Sequence, residues 1–325
     1  MRIVLNPYCL LAALVAALVF NGCGRSGGPG EQSRPLKLAV VTNNSSDWWT
    51  IARKGGEKAA GELPGVSLDF RMLSEGTAAA QKALVDDLLA RGVDGIAVSP
   101  LDVENQRQML DEAASKTLLF TLGADAPASR RVCYAGTDDV ASGRMAGALV
   151  RQTLPEGGKI MVFVGRRDAQ NAIDRFNGLK QGLEGSGVEI IDVRTDDADP
   201  TKAKTNVADT LVRYPDIDGL VGLWSYNGPA ILSAVADAGK LGKFRIVTFD
   251  EADETLQGVK DGHIYGTVVQ QPYGFTYEAV KRMALYLRGD KSQIPADGKL
   301  VYPTEVIRQE NVDEFRAKLK ELRGR

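Results

Sequence analysis

Histidine is almost missing from this chain: His263 is the only one among 325 residues. One imidazole cannot build a histidine-based metal cluster, and it leaves no Ser/His/Asp arrangement for nucleophilic catalysis. Cysteine is scarce as well, with three in the chain. After Cys23 only Cys133 remains, in "RRVCYAG", with no metal-ligand spacing and no partner for an internal disulfide in an exported chain, so Cys133 reads as a small buried hydrophobe. Charge of one sign is lacking too. A formal net charge of −2 without a long basic run argues against a nucleic-acid surface, whose affinity comes from clustered Lys and Arg on phosphates. No strand-like run leads into G-x-G-x-x-G or G-x-x-x-x-G-K-[ST], and no nucleophile stands beside a base. The chain is therefore expected to be no enzyme and to carry no cofactor and no metal.

Composition is otherwise that of a globular protein, 44% hydrophobic and 25% charged. The first residues stand apart. Met1-Arg2 supplies one positive charge, Tyr8 to Phe20 is apolar, and Gly22-Cys23 follows, which reads as an export signal over residues 1–22. The apolar run is shorter than the roughly 20 residues a membrane-spanning helix needs. "FNGC" at 20–23 resembles a bacterial lipobox with a lipidated Cys23, although Phe20 and Asn21 depart from its usual residues; plain secretion and a chance cysteine are the alternatives. The Gly, Ser and Pro stretch "GRSGGPGEQSRP" follows, so residues 23–35 are expected to form a flexible tether to a membrane.

From Leu36 onward, short apolar runs alternate with segments of helical period. "LKLAVVT", "VSLDFRML", "VDGIAVS" and "TLLFTL" are followed by "KIMVFVG", "VEIIDVRT", "IDGLVGLWS" and "RIVTFD"; segments such as "AQKALVDDLLARG" and "ENQRQMLDEAAS" lie between. Runs apolar on both faces belong to parallel strands covered by helices, so the fold class is α/β, doubly wound. The pattern occurs twice. Val41 and Val164, Asp94 and Asp218, and Thr121 and Thr248 are like residues separated by 123, 124 and 127 positions, which points to two similar lobes in tandem.

All three tryptophans sit where such runs end: Trp48 and Trp49 in "NNSSDWWTI", Trp224 in "LVGLWSYNG". Ligand crevices in open parallel sheets lie beyond the carboxyl ends of the strands, and clefts between domains are favoured small-molecule sites. The three indoles either line a cleft from both sides or cap the apolar ends of the sheets. Other strand-end residues are polar: Thr42, Ser46 and Asp125 in the first half, Asn171, Arg175, Asn227 and Asp250 in the second, and Gln270 near a return crossing. Planar Asp, Asn, Gln and Arg groups give or take paired hydrogen bonds, as vicinal hydroxyls require, and aromatic faces suit the C–H face of a sugar. Each has a plainer role open to it. Ser46 or Asp47 can cap the helix starting at Trp48, Asn227 the next helix along, and Arg175 can be a surface ion pair.

The order of "VTNNSSDWWTIARKGGEKAA", "RGVDGIAVSP", "GTDDVASGRMAG", "DAQNAIDRFNGLKQGL", "YNGPAILSAV", "VTFDEADETL" and "GTVVQQP" resembles the type I periplasmic binding proteins, in particular the ribose-binding-like group. The resemblance runs from about Leu36 to about Ile307. It implies two doubly wound lobes joined by a three-segment hinge, with lobe 1 formed by 36–137 plus 271–302 and lobe 2 by 138–270 plus 303–325. It places the family's loop aromatics on Trp48 and Trp49, its polar loop ligand on Ser46, and its arginine, asparagine, aspartate and glutamine on Arg175, Asn227, Asp250 and Gln270. Two departures alter the pocket. Where ribose binders are similar to "TLDR", this chain reads Thr121-Leu122-Gly123-Ala124, with an acid only at Asp125, and "DDADPTKAK" holds no second stacking aromatic.

The resemblance implies capture of a monosaccharide-like sugar or polyol and its delivery to the permease of an ABC importer, by a monomer held outside the cytoplasm. A sensory subunit presenting a sugar-like signal to a membrane kinase is the alternative. A terminal helix is expected over 311–324, capped by Asn311. Mass spectrometry of the membrane-fraction protein is expected to show a chain beginning at a diacylated Cys23; an unmodified terminus at another residue would overturn the lipobox reading.

Overall fold

The computed structural model describes residues 34–46 and 48–323. The expected export signal, Cys23, the tether up to residue 33 and the Asp47 cap lie outside the described residues. The described residues form one compact unit built on two six-stranded sheets. The first holds β1 (Leu36–Val41), β2 (Val66–Arg71), β3 (Gly95–Val98), β4 (Leu118–Leu122), β5 (Cys133–Thr137) and β11 (Lys299–Tyr302), in the order β11-β5-β4-β3-β1-β2. The second holds β6 (Gly158–Val164), β7 (Val188–Thr195), β8 (Gly219–Gly222), β9 (Arg245–Phe249), β10 (Gly266–Val269) and β12 (Glu305–Ile307), in the order β12-β10-β9-β8-β6-β7.

The inner strands β3, β4, β5, β8 and β10 are buried along their whole length, as expected of strands covered on both faces, whereas the edge strands β2 and β7 are half-exposed. Helices α1 (Trp48–Glu62) and α9 (Pro272–Leu287) cover one face of the first sheet; α2 (Ala78–Ala90) and α3 (Arg107–Lys116) cover the other. On the second sheet, α4 (Asp139–Thr153) and α5 (Gln170–Leu183) lie on one face. There α6 (Pro200–Arg213), α7 (Asn227–Asp237), α8 (Asp253–Lys260) and α10 (Val312–Arg323) lie on the other. Cys133 is fully buried, in the core of the first sheet.

The chain passes between the sheets three times: from β5 to α4, from β10 to α9, and from β11 to β12. The last passage explains the one antiparallel strand. β11 runs parallel to β5 and leaves the first sheet at its carboxyl edge; after Pro303 and Thr304, with no helix to turn the chain, β12 enters the second sheet at its carboxyl edge and runs against β10. In each sheet the strand order reverses beside the first strand, β1 in one and β6 in the other, which is where a parallel sheet opens a crevice.

At the terminal helix, Asn311 does not cap with its side chain. Its Oδ1 accepts from the Arg308 N–H at 2.7 Å and its Nδ2 donates to the Val306 carbonyl at 3.0 Å, so it fastens the turn after β12.

Helices α4 and α5 meet backbone to backbone. A Cβ on Gly178 would lie 2.1 Å from the Val140 carbonyl oxygen, and one on Gly143 2.1 Å from that of Arg175. Gly178→Ala is therefore expected to destabilise by about 1–3 kcal/mol through overpacking, although the same change in an exposed helix gains up to about 1 kcal/mol. Urea unfolding checks this; a stabilised variant would show that the helices can part freely.

Candidate functional site in the cleft

The carboxyl ends of both sheets supply one cavity. From the first sheet come the loop after β1, with Asn43, Asn44 and Ser46, the first turn of α1, with Trp48 and Trp49, and Ser99 and Gly123 after β3 and β4. From the second come Asn171 and Arg175 on α5, Trp224 and Ser225 after β8, Asp250 after β9 and Gln270 after β10. The cavity measures about 50 Å³, room for about four water molecules at roughly 10–15 Å³ each.

The indoles take both of the roles open to them. Trp48 and Trp49 belong to the core cluster on the first sheet, Trp224 to one on the second, and all three also face the cavity. Trp48 and Trp49 meet edge to face with ring centroids 4.7 Å apart, and Trp48 also leans on Phe275. Trp49 Nε1 donates to Asn43 Oδ1 at 3.2 Å, so its polar end is occupied. By contrast, Trp48 Nε1, Trp224 Nε1, Ser99 Oγ and Asn171 Oδ1 are buried without a well-formed hydrogen bond among the described residues, although Trp48 Nε1 lies near the Asp250 carboxylate. Such an atom costs about 1–3 kcal/mol when left unpaired, so residues lining one small space carry two donors, an acceptor and a hydroxyl with capacity to spare.

Behind them lies a charged network. Arg175 is 2% exposed and is no surface ion pair. Its Nε donates to Asp139 Oδ1 at 2.8 Å, its Nη1 donates to the Leu223 carbonyl at 2.8 Å and lies 3.9 Å from Asp250 Oδ2, and its guanidinium stacks over the Phe249 ring. Burial opposes its charge, but the carboxylates of Asp139 and Asp250 outweigh that and raise its pKa. Asp139 itself is pushed up to about 6 by burial, against the pull of Arg175. Asp250 is likewise raised by burial, opposed by Arg175, Gln270 and the nearby Trp48 indole N–H. Gln270 Nε2 donates to Asp250 Oδ1 at 2.8 Å and receives the Thr137 hydroxyl on Oε1 at 3.1 Å.

Asp250 adopts φ 64°, a left-handed conformation that costs an L residue on the order of 1–2 kcal/mol. Bonds to β10 hold it there: its N–H donates to the Val268 carbonyl at 2.9 Å and its carbonyl accepts from the Thr267 hydroxyl at 2.8 Å. The strained turn delivers the carboxylate to the cavity wall.

Two residues expected at the site are elsewhere engaged. Asp125 forms a two-pronged ion pair with Arg131, accepts from the Thr121 hydroxyl at 2.8 Å, and so fastens the β4–β5 connection; Arg131 in turn donates to the Gly298 carbonyl before β11. Asn227 spends its amide locally, with Oδ1 accepting from the Trp224 N–H at 2.8 Å and Nδ2 donating to Asp196 at 3.3 Å. It shapes the turn that presents Trp224. Sequence reading missed Asn43, Asn44, Ser99 and Ser225 as lining residues, and Thr137 and Asp139 as the supports of Gln270 and Arg175. Position directly after a buried strand was the available signal for Ser99.

With this geometry in place, comparison with known proteins defines the class. A family model described as periplasmic binding protein domain matches residues 38–291, and the chain belongs to that family. More particularly, it is 26% identical over 294 residues to the ribose import binding protein RbsB of Haemophilus influenzae, covering 90% of this chain and 98% of that one. It is 28% identical over 260 residues to the D-allose-binding periplasmic protein of Escherichia coli, covering 75% and 82%. Among solved structures, GanP, a glucose-galactose binding protein from Geobacillus stearothermophilus, superposes with a TM-score of 0.81 at 26% identity, covering 86% of this chain and 99% of that one.

Removing one member of a buried charge cluster leaves the others uncompensated, a loss of about 3–5 kcal/mol. Arg175→Met is expected to fall in that range by urea unfolding, whereas a change below about 1 kcal/mol would show that Asp139 and Asp250 do not depend on the guanidinium.

Proposed function

We propose that this protein is an extracytoplasmic binding protein that captures a monosaccharide-like sugar or polyol in the cleft and hands it to the permease of an ABC importer. The observation that carries the reading is the set of unpartnered polar atoms of Trp48, Trp224, Ser99 and Asn171 beside indole faces. Hydroxyls both donate and accept, so a polyol can pair all four, while its C–H surface packs against the rings. Family membership and relatives bearing ribose-import and allose-binding names support it. Binding without turnover agrees with a site whose charged groups are committed to one another.

In this reading Ser46, Trp48 and Trp49 contact the ligand from lobe 1 (36–137 plus 271–302), and Asn171, Arg175, Trp224, Asp250 and Gln270 from lobe 2 (138–270 plus 303–325). Asp125 and Asn227 act one step away, by fixing loops. A sugar ring is larger than the 50 Å³ cavity, so the lobes part to admit it and close again, the three passages of the chain serving as hinge. The ligand favours closure by its differential affinity for the closed form. Lipidation at Cys23 would tether the protein, as a monomer, beside the permease.

Addition of the correct sugar is expected to shift or quench tryptophan emission, and Trp48→Ala to weaken its binding by about 1–3 kcal/mol through lost stacking and burial. Fluorescence titration across a panel of pentoses, hexoses and their alditols reads both. A panel without any response, or an unweakened Trp48→Ala variant, contradicts the proposal.

A further inference from the structure

The cleft does not end at the indoles. A larger cavity of about 600 Å³ adjoins the first, and Asn44, Ser46, Trp48 and Ser225 form part of the walls of both. This outer chamber falls in the size range of small-molecule sites, roughly 300–1,000 Å³, whereas the inner one is far below it. Its walls also come from both sheets: Ser45 and Ser74 on one side, Tyr226, Pro229 and the start of α8 on the other.

Two features mark the chamber as a built site. Trp48 and Tyr226 give it aromatic surface from opposite sides of the cleft. Glu251, directly after the strained Asp250, is 3% exposed, and neither of its carboxyl oxygens has a hydrogen-bond partner among the described residues. Burial, reinforced by the charge of Asp250 and opposed by Arg323, raises its pKa well above the ordinary value. The remaining charge selects against anions: Glu254 and Asp253 face the chamber with Arg323, which is already paired with Asp253 and donates to the Glu251 carbonyl.

We propose that the outer chamber is a second sugar subsite. The ligand is then a neutral glycoside of disaccharide size, with its terminal unit in the tryptophan cavity and the adjoining unit against Trp48, Tyr226 and Glu251. This assignment rests on the sugar-binding reading above and extends it to the length of the ligand.

Isothermal titration with glucose, galactose and xylose, and with cellobiose, maltose, lactose and xylobiose, tests it. At least one disaccharide is expected to bind tenfold or more tightly than its own monosaccharide. Ser74→Trp and Glu254→Trp place bulk in the chamber at exposed positions on opposite walls and outside the inner cavity. They are expected to abolish that gain while leaving monosaccharide affinity unchanged. Disaccharides no tighter than monosaccharides, or a gain that survives both substitutions, overturn the second subsite and leave the sugar reading standing. Failure of every sugar, short and long, overturns both.

Discussion

A guanidinium withdrawn from water has to find its countercharges inside the protein, and those that Arg175 finds bind together the parts of the chain that lie closest to the passages between sheets. Asp139 is the first residue of α4, just past the first passage; Asp250 follows β9 and holds Gln270, which sits at the second and also takes the hydroxyl of Thr137 from the end of β5. The guanidinium is placed by a close helix contact, since α4 and α5 approach through glycines at Gly143 and Gly178. Small residues on two helices thus position the charge that orders a site on three strand ends. Loosening that contact moves Arg175, and every carboxylate that depends on it must follow.

The same economy of position governs the tryptophans. An indole has a large apolar face and one N–H, so it can close the apolar end of a sheet while keeping a polar edge at the cleft. Trp49 uses its N–H on Asn43 and serves mainly to pack; those of Trp48 and Trp224, one from each sheet, make no well-formed hydrogen bond among the described residues, with that of Trp48 near Asp250. Asn227 and Tyr226 fix the loop behind Trp224, with the tyrosine hydroxyl on Asp196 and the asparagine on the Trp224 backbone. Rings held this firmly offer a preorganised surface, so little conformational freedom is lost when a ligand docks.

Much of the architecture was legible in the sequence because the signals were local. Each of the eight apolar runs quoted from the sequence contains a strand, and the near-constant spacing between like residues reflects two sheets of matching strand order. β10, β11 and β12 were not read as strands, although β10 and β11 each have four residues, as β3 and β8 do, and β5 lies in a segment that drew notice only for Cys133. At the site, residues following strands could be named, but not how each side chain spends its bonds. Asp125 and Asp250 look alike in sequence; Arg131 captures the first, while a left-handed turn aims the second at the cleft. Glu251 escaped notice because its isolation from partners is a property of the packed structure alone.

The departure at Gly123-Ala124 from the "TLDR" pattern fits the paired tryptophans in physical terms. Gly123 has φ 71°, a conformation that glycine adopts without strain, and a Cβ there would lie 3.4 Å from Trp49 and 3.5 Å from Trp48. An aspartate in its place would have to extend into the space that the two rings fill, and the following Ala124 is 1% exposed, with no room for an arginine. Indole volume and a missing charged pair are therefore two sides of one change. The first sheet's wall of the cavity loses ionic hydrogen bonding and gains aromatic surface. Charge in the cavity wall is left to the second sheet, where Arg175 and Asp250 partly neutralise each other and Arg175 is also paired with Asp139. A cleft built this way offers apolar surface and neutral hydrogen-bonding groups, its spare capacity lying in indole N–H groups, a hydroxyl and an amide rather than in free ions.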